Sequence, residues 1–178
     1  MELFEKKVRN INQYQGIVVN IKVEQVELPN GARTMREVVE HPGGAAIVPI
    51  DADGNVYCVR QYRYPFGKTL LEIPAGKLEP GEDPADCAVR ELGEETGLIA
   101  GRLTPLGLLY TSPGFSDEVL YLYLAQELTQ GQAHPDPNEF VNMEKHPIGE
   151  LTDMIGRGEI RDAKTQVGIL KAKLILEE

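Results

Sequence analysis

Residues 76–98 read GKLEPGEDPADCAVRELGEETGL, and this stretch predicts one short helix with acidic side chains crowded near its end. Asp83 is a suitable N-cap, and Pro84 suits the first helical position. Gly97 suits the left-handed residue that follows a last helical turn. The helix is therefore expected to run from about Pro84 to Thr96.

Three glutamates, Glu91, Glu94 and Glu95, project along one ridge of this helix, because the last two lie three and four residues after the first. Their charges repel one another and also face the negative end of the helix dipole. Arg90 offsets only part of this repulsion. The ridge is therefore either a solvated acidic face, the usual role of a charge run, or a site for a cation.

Composition narrows the class of protein. The 178 residues are 42% hydrophobic, which suits one domain with a sizeable core. A net charge of −10 argues against nucleic acid or an anionic membrane as the partner, and favours bound metal as the receiver of an anionic substrate. The opening residues lack a secretory pattern, and no segment approaches the roughly 20 apolar residues of a membrane span.

The cysteines and histidines indicate the cellular compartment and exclude two kinds of site. The two cysteines, Cys58 and Cys87, form no CxxC pair, which indicates reduced, buried thiols in a cytoplasmic protein. The three histidines of the chain are His41, His134 and His146. They do not have the spacing of metal ligands, which argues against a zinc site or a Ser-His-Asp arrangement.

The remaining pattern predicts strands with interspersed helices. Residues 16–27 and 32–41 flank Asn30-Gly31, a strong hairpin signal. Residues 45–50 and 55–64 are expected to form a second hairpin across Asp53-Gly54. Further strands are predicted at 102–110 and 118–125, and further helices at 148–155 and 163–176. This order indicates the α+β class, with a mixed sheet between helices.

Written as spacing, residues 76–98 resemble the Nudix box, G-x5-E-x7-R-E-U-x-E-E-x-G-U with U aliphatic, and every defined position is filled. Such a long pattern is far more specific than a lone glycine motif. The resemblance implies an α/β/α sandwich with a mixed β-sheet over residues 42–178. Residues 1–41 would form an N-terminal β element outside it. It also implies metal-dependent hydrolysis of a diphosphate.

The resemblance assigns the metal ligands by position, with magnesium as the usual ion and manganese or another divalent cation as an alternative. The implied ligands are Glu91, Glu95, Glu94, which binds directly or through water, and the carbonyl oxygen of Ala75. Glu82 and Arg90 would orient these carboxylates. Carboxylates suit this role, because a hard cation prefers oxygen ligands.

Further stretches resemble the ADP-ribose pyrophosphatase subgroup. Pro113 lies sixteen residues after Gly97 in an SPG-F-x-D-E loop, although SPG alone is also ordinary turn chemistry. VELPNGARTMREVVEHPGGAAIV, VRQYRYP and LEIPAGKLEPGE resemble the same subgroup. The implied reaction is hydrolysis of ADP-ribose to AMP and ribose 5-phosphate. The alternatives are another nucleoside diphosphate derivative, such as a sugar nucleotide or dinucleotide, and a catalytically silent ADP-ribose sensor.

The resemblance also implies substrate contacts. Arg63 would bind the diphosphate, although a surface arginine beside a strand is the alternative. Arg36 and Glu37 would reach the adenine side from the partner subunit of a homodimer, if the N-terminal hairpin is exchanged; otherwise they are cross-strand surface charges. The residues implied on the ribose side are Ser112, Pro113 and Glu118.

The general base is expected in an acidic loop after the box, within HPDPNEFVNMEKHP. Glu139 is the candidate, as base or as a fourth metal ligand, and Asp136 and Glu94 are the alternatives. Pro137 and Asn138 stand where the subgroup usually carries acids. A solvated loop carboxylate is the plain alternative for Glu139.

Overall fold

The computed structural model describes residues 3–132 and 140–177. Its strands are β1 (Lys6–Gln15), β2 (Asn20–Glu27), β3 (Arg33–Glu40), β4 (Gly44–Pro49), β5 (Asn55–Arg63), β6 (Lys68–Glu72), β7 (Ala75–Lys77), β8 (Leu98–Ile99), β9 (Arg102–Tyr110), β10 (Val119–Gln126), β11 (Thr129–Gln130) and β12 (Val141–Pro147). Its helices are α1 (Pro84–Thr96), α2 (Ile148–Gly156) and α3 (Ala163–Leu176). None of these helices is long and apolar enough to cross a membrane.

The boundaries predicted for α1 are confirmed. The side chain of Asp83 accepts a hydrogen bond from the Ala85 N–H at 2.8 Å, as an N-cap does. Gly97 has φ 71° and donates its N–H to the Gly93 carbonyl at 2.9 Å. Glycine is suited to this left-handed position because it has no Cβ.

The chain forms two compact units. The N-terminal unit comprises the described residues up to Gly43 together with Tyr110–Val119, and the core unit comprises Gly44–Leu109 together with the described residues from Leu120 onward. The predicted division of the chain at residue 41 stays a prediction. The structure adds that a ten-residue loop segment from the second half of the chain packs with the N-terminal strands.

The N-terminal unit is a three-stranded antiparallel sheet in the order β1-β2-β3. The predicted hairpin across Asn30-Gly31 is confirmed, and Gly31 has the positive φ that its turn requires, 81°. The loop after β9 joins this unit through Val39. The Val39 N–H donates to the Phe115 carbonyl at 2.7 Å, and the Asp117 N–H donates to the Val39 carbonyl at 3.1 Å.

Strand β1 was not predicted as a strand. Its apolar residues Val8, Ile11 and Tyr14 are spaced by three, which is not the period of two expected along a strand. The pairing of β1 with β2 explains this spacing, because its register shifts between Lys7 and Arg9 and again between Asn10 and Asn12. Each bulge adds a residue and moves the following side chains to the other face.

The core unit contains a mixed sheet in the order β7-β4-β10-β9, in which β4 pairs parallel to β10 and antiparallel to β7. A second sheet has the order β12-β5-β6 and is antiparallel, and β8 pairs with β11. The prediction of an α+β protein with a mixed sheet is confirmed.

The predicted hairpin across Asp53-Gly54 was wrong. A turn does form there, because the Asp51 side chain accepts hydrogen bonds from the N–H groups of Asp53 and Asn55. However, β4 and β5 share only the isolated bridge between Ile50 and Val56 and then enter different sheets. Both edges of β4 are taken by β7 and β10, so β5 pairs with β6 and β12 instead.

Strand β4 is buried on both faces and so divides the core into two layers. On one face, Ala45 and Ile47 share a hydrophobic cluster with α1. On the other face, Ala46 and Val48 share a larger cluster with α2 and α3. The sheet therefore lies between helices, and the predicted α/β/α sandwich is confirmed.

Candidate active site

The carboxylate of Glu91 lies directly against the backbone of Gly76. A Cβ built on Gly76 would overlap with the Glu91 carboxylate, so no larger residue fits at position 76 without moving this side chain. Glu91 is only 6% exposed. Strand β7 and helix α1 are therefore joined by an acidic side chain that approaches the main chain closely, which explains the glycine at the start of the motif.

Glu95 contacts the same strand one turn further along. Its Oε2 accepts a hydrogen bond from the Ala75 N–H at 3.2 Å, and the residue is 8% exposed. Ala75 is held in place because β7 pairs with β4, with Ala75 opposite Ala46. Strand β7 thus positions both buried carboxylates of α1, Glu91 and Glu95.

Arg90 lies among the remaining acids of the motif. Its Nε and Nη2 donate to the two oxygens of Glu82 at 2.8 and 3.0 Å, and its Nη1 donates to Glu91 at 2.6 Å and to Glu94 at 3.0 Å. These hydrogen bonds, with a smaller contribution from the Glu79 N–H, lower the pKa of Glu82 to about 2. The hydrogen bonds to Glu82 and Glu91 in turn raise the pKa of Arg90. One guanidinium therefore orients three carboxylates of the motif.

The donor types at this site suit a hard divalent cation, since Glu91, Glu94, Glu95 and the Ala75 carbonyl all offer oxygen. Among residues 3–132 and 140–177, however, no three acidic, histidine or cysteine side chains converge in a metal-binding geometry. Arg90 already engages Glu91 and Glu94 in this conformation. The candidates Glu139 and Asp136 lie outside the described residues.

Arg63, the predicted diphosphate ligand, ends β5 and forms a two-pronged ion pair with Glu72 at the end of β6. Its Nε and Nη2 each donate to one oxygen of Glu72 at 2.7 Å. The Glu72 hydrogen bonds raise the pKa of Arg63 against the effect of burial, and the charge of Glu95 contributes in the same direction. Arg63 is therefore held by a buried carboxylate of the neighbouring strand β6.

Two residues of this arrangement were missed by sequence reasoning. Glu72, at 1% exposure, also accepts a hydrogen bond from Lys164, which is itself buried at the start of α3. A single acid inside the apolar stretch LLEIP was the available signal for Glu72. Nothing in the sequence pairs it with Lys164, because 92 residues separate them.

The other predicted site residues belong to the N-terminal unit. Arg36 on β3 donates from Nε and Nη2 to the Glu5 carboxylate at 3.0 and 2.7 Å. Glu37 is exposed on the opposite face of the same strand, since successive side chains alternate. In this structure Arg36 therefore has a partner within its own chain.

The loop containing Ser112 and Pro113 is a turn, as its sequence predicts. The Ser112 carbonyl accepts hydrogen bonds from the N–H groups of Phe115 and Ser116 at 3.1 and 2.9 Å. Glu118, at the end of the loop, accepts from the Thr111 hydroxyl at 2.6 Å. Pro113 itself is exposed. The structure thus divides the predicted residues into a metal-site group in the core unit and a substrate-side group in the N-terminal unit, apart from Arg63.

This chain matches a known protein family and resembles known proteins over most of its length. A family model described as the NUDIX domain matches residues 40–165. An ADP-ribose pyrophosphatase of Bacillus subtilis is 41% identical over 169 residues, covering 94% of this chain and 91% of that protein. A methanol dehydrogenase activator of Bacillus methanolicus is 42% identical over 171 residues, covering 94% and 92%.

A solved structure of an ADP compounds hydrolase shares the fold, with a TM-score of 0.85 at 23% identity, covering 99% of this chain and 97% of that one.

Proposed function

Because this chain belongs to the Nudix family, we propose that it hydrolyses ADP-ribose to AMP and ribose 5-phosphate with the help of a divalent cation. The proposal of ADP-ribose as substrate rests on the 41% identity to an ADP-ribose pyrophosphatase over nearly the whole of both chains. The complete acidic motif on α1, buried against β7, supports catalysis rather than binding alone.

Magnesium, or manganese in its place, would be held by Glu91 and Glu95, with Glu94, the carbonyl oxygen of Ala75 and Glu139 as further oxygen donors. When bound, such an ion would offset the negative charge of the phosphate oxygens and lower the pKa of a bound water. Arg90 and Glu82 would orient the carboxylates, since Arg90 contacts Glu91 and Glu94 directly. Glu91 and Glu94 would then exchange contacts with Arg90 for contacts with the ion.

Arg63 would bind the diphosphate, because Glu72 uses only two of the five N–H groups of its guanidinium. A general base would take the proton of the attacking water, and Glu139 is the proposed residue, with Asp136 and Glu94 as alternatives. Replacing Glu139 by Gln should then lower kcat by about 10²–10⁴-fold with little change in substrate affinity. An unchanged rate and pH profile would transfer the role to Asp136 or Glu94.

We also propose a homodimer in which Arg36 and Glu37 reach the adenine side of the partner's site, with Ser112, Pro113 and Glu118 near the terminal ribose. The exposed apolar side chains along the N-terminal unit support an interface there, since large exposed apolar surfaces usually mark contacts. The most exposed of them are Leu3, Phe4, Ile17 and Tyr110. The Arg36 guanidinium would exchange Glu5 for substrate.

A cytoplasmic location is part of the proposal. Cys58 and Cys87 are free and buried, and burial raises the pKa of each thiol to about 12. Such thiols are unreactive, and proteins in oxidising compartments more often carry disulfides.

The proposed function is tested with a substrate panel in the presence of magnesium. The panel contains ADP-ribose, GDP-mannose, a diadenosine polyphosphate and nucleoside triphosphates, and the products are identified. ADP-ribose should be cut fastest, giving AMP and ribose 5-phosphate. Tight ADP-ribose binding without turnover would establish a sensor, and faster cleavage of another compound would change the substrate within the family.

A second candidate function is activation of a dehydrogenase, and it rests on the 42% identity to the methanol dehydrogenase activator. Methanol oxidation by the Bacillus methanolicus enzyme should be measured with and without this chain. A Glu95→Gln variant separates the two roles. Activation that survives this substitution would indicate docking alone, whereas activation lost with it would make hydrolysis the cause.

A further inference from the structure

Glu72 is the least exposed of the buried charged side chains that the structure describes, at 1%. Its Oε1 accepts from Arg63 Nε, and its Oε2 accepts from Arg63 Nη2 and from Lys164 Nζ. Burial alone would raise its pKa, but Arg63 and Lys164 outweigh that effect and lower it. The carboxylate is therefore ionised and held from two sides.

The first turn of α3 supports this arrangement. Lys164 Nζ lies 3.1 Å from Asp162 Oδ2, and the same oxygen accepts from the N–H and hydroxyl of Thr165 at 2.9 and 2.6 Å. The Thr165 hydroxyl oxygen in turn accepts from the Ile73 N–H at 3.0 Å. Glu72 and the residue after it are thus both anchored to the start of α3, so the carboxylate has little freedom to move.

Stability alone is a weak reason to bury such an ion pair. Two charges removed from water lose hydration that their attraction rarely exceeds by much, and apolar residues of similar volume are often as stabilising. A more exposed pair of the same form involves β5, the strand that carries Arg63. There Arg60 donates to both oxygens of Glu144 on β12. The buried position of Glu72 therefore calls for a further reason.

The exposure of Arg63 supplies that reason. Its side chain is 39% exposed although its partner is almost fully buried. Glu72 takes the Nε–Nη2 edge of the guanidinium, and three further N–H groups remain for another acceptor. A guanidinium with one edge fixed can present the other edge to a phosphate in a defined direction.

We propose that Glu72, held by Lys164, is a positioning residue that sets the orientation of the Arg63 guanidinium toward the diphosphate of the substrate. The inference rests on the proposed function, in which Arg63 binds that diphosphate. Fixing a long, flexible side chain before the substrate arrives reduces the entropy lost on binding.

A double-mutant cycle tests the proposal. Glu72→Gln should lower kcat/KM by about 10–100-fold, as misplacement of a substrate-binding group does. It should move KM and kcat in the same proportion as Arg63→Gln does. The double variant Arg63→Gln with Glu72→Gln should be no slower than Arg63→Gln alone, because Glu72 acts only through Arg63.

Two further variants separate positioning from folding. Glu72→Asp keeps the charge but is one methylene shorter, so it should keep the melting temperature better than Glu72→Gln and still lower kcat/KM. Glu144→Gln breaks the matched ion pair of Arg60 on the same strand and should leave kcat/KM unchanged. If Glu72→Gln does not fold, the comparison of Glu72→Asp with Glu144→Gln still decides the question.

Three results would overturn the inference: Glu72→Asp with wild-type kinetics, effects of Arg63→Gln and Glu72→Gln that multiply in the double variant, or a loss in Glu144→Gln as large as in Glu72→Gln. The cycle uses the panel compound that the wild type cuts fastest, since all of them contain linked phosphates. Failure to cut ADP-ribose while another compound is cut would therefore refute the proposed substrate separately. Failure to cut any of them would overturn both.

Discussion

The N-terminal unit and the core unit both contain well-paired β-strands, but only the core unit surrounds its strands with apolar side chains. All ten residues of β1 are exposed, whereas all six residues of β4 are buried. Among the described residues of the N-terminal unit only Val26 is a buried hydrophobic residue, while the strands and helices of the core unit supply two clusters of them. A strand of this protein can therefore be fully paired without contributing to a hydrophobic core.

The N-terminal sheet relies instead on ion pairs at its surface. Lys22 pairs with Glu40, Lys7 with Glu24, and Arg36 with Glu5. Pairs of this kind contribute about 0–1 kcal/mol each, far less than a buried cluster of large apolar side chains. The N-terminal unit therefore gains less from apolar burial than the core unit does, and the proposed dimer would cover part of its exposed apolar surface.

The largest expected effect is on catalysis, and it lies in the core unit. Glu95→Gln should lower kcat by at least about 10²-fold, the scale for losing a group that stabilises charge at a reacting centre. Its oxygen can still accept from the Ala75 N–H, and one repelling charge is gone, so the melting temperature should not fall. Steady-state kinetics and thermal unfolding measure both.

The control for Glu95→Gln is Asp86→Asn, which removes an exposed carboxylate from the same helix and should leave kcat unchanged. Full wild-type activity in excess chelator would contradict the metal requirement. A sharp fall in the apo melting temperature of Glu95→Gln would contradict the repulsion between the acids.

Two isoleucines compare the units directly. Ile169 is fully buried, and Ile169→Ala should cost about 2–5 kcal/mol of unfolding free energy through lost contacts and a cavity. Ile11 is 46% exposed, and in the monomer Ile11→Ala should change stability by less than about 0.5 kcal/mol. Urea unfolding of both variants measures the difference. Equal losses at low protein concentration would erase the contrast between the units.

A charge placed in the N-terminal unit tests the proposed dimer interface. Ile11→Lys should raise the dimer dissociation constant by about tenfold or more, which corresponds to about 1.4 kcal/mol. Val89 on α1 is equally exposed, at 44%, and Val89→Lys is the matched control in the core unit. Light scattering over a concentration series measures assembly. A fully active wild-type monomer at micromolar concentration would refute the interface, and so would equal dimerisation of the two variants.

The smallest expected effect concerns acid stability. Arg60 lowers the pKa of Glu144 to about 2, from an ordinary value of 4.5. The pair therefore stabilises the fold above pH 4.5 and loses this contribution as the pH falls toward 2. The difference in unfolding free energy between wild type and Glu144→Gln should be no more than about 1 kcal/mol at neutral pH, because the pair is partly exposed, and should shrink as the pH falls from about 5 toward about 2.

A difference that grows toward low pH would have the wrong sign. Glu40→Gln removes the corresponding pair with Lys22 in the N-terminal unit and should have a similarly small effect on stability at neutral pH. Equal effects in the two units would indicate that they differ in apolar burial rather than in the contribution of their surface charges.

Local chemistry accounts for what the sequence predicts well. The ends of α1 follow from Asp83 and Gly97, whose side-chain and backbone preferences act within one turn. The hairpin at Asn30-Gly31 follows from a turn that needs a positive φ. The box motif likewise lies within 23 consecutive residues, and the α/β/α fold could be inferred from its resemblance.

Features that depend on distant parts of the chain were not predicted. The two bulges in β1 remove its period of two, so no alternation marks it as a strand. The second hairpin was wrong because β7 and β10 occupy the edges of β4, which no local signal reveals. The ion pair between Glu72 and Lys164 similarly depends on how α3 packs. The sequence therefore predicted Arg63 as a diphosphate ligand but not the two residues that hold it.

The close approach of Glu91 to Gly76 sets what protein engineering can change in this loop. A saturation library at position 76 should return glycine from its active clones, because any Cβ there meets the carboxylate. Gly93, in the same motif, faces open space, and Gly93→Ala should gain about 1 kcal/mol of helix propensity. A transplant of α1 onto another scaffold would have to carry β7 with it, since the acid is seated on that strand's main chain.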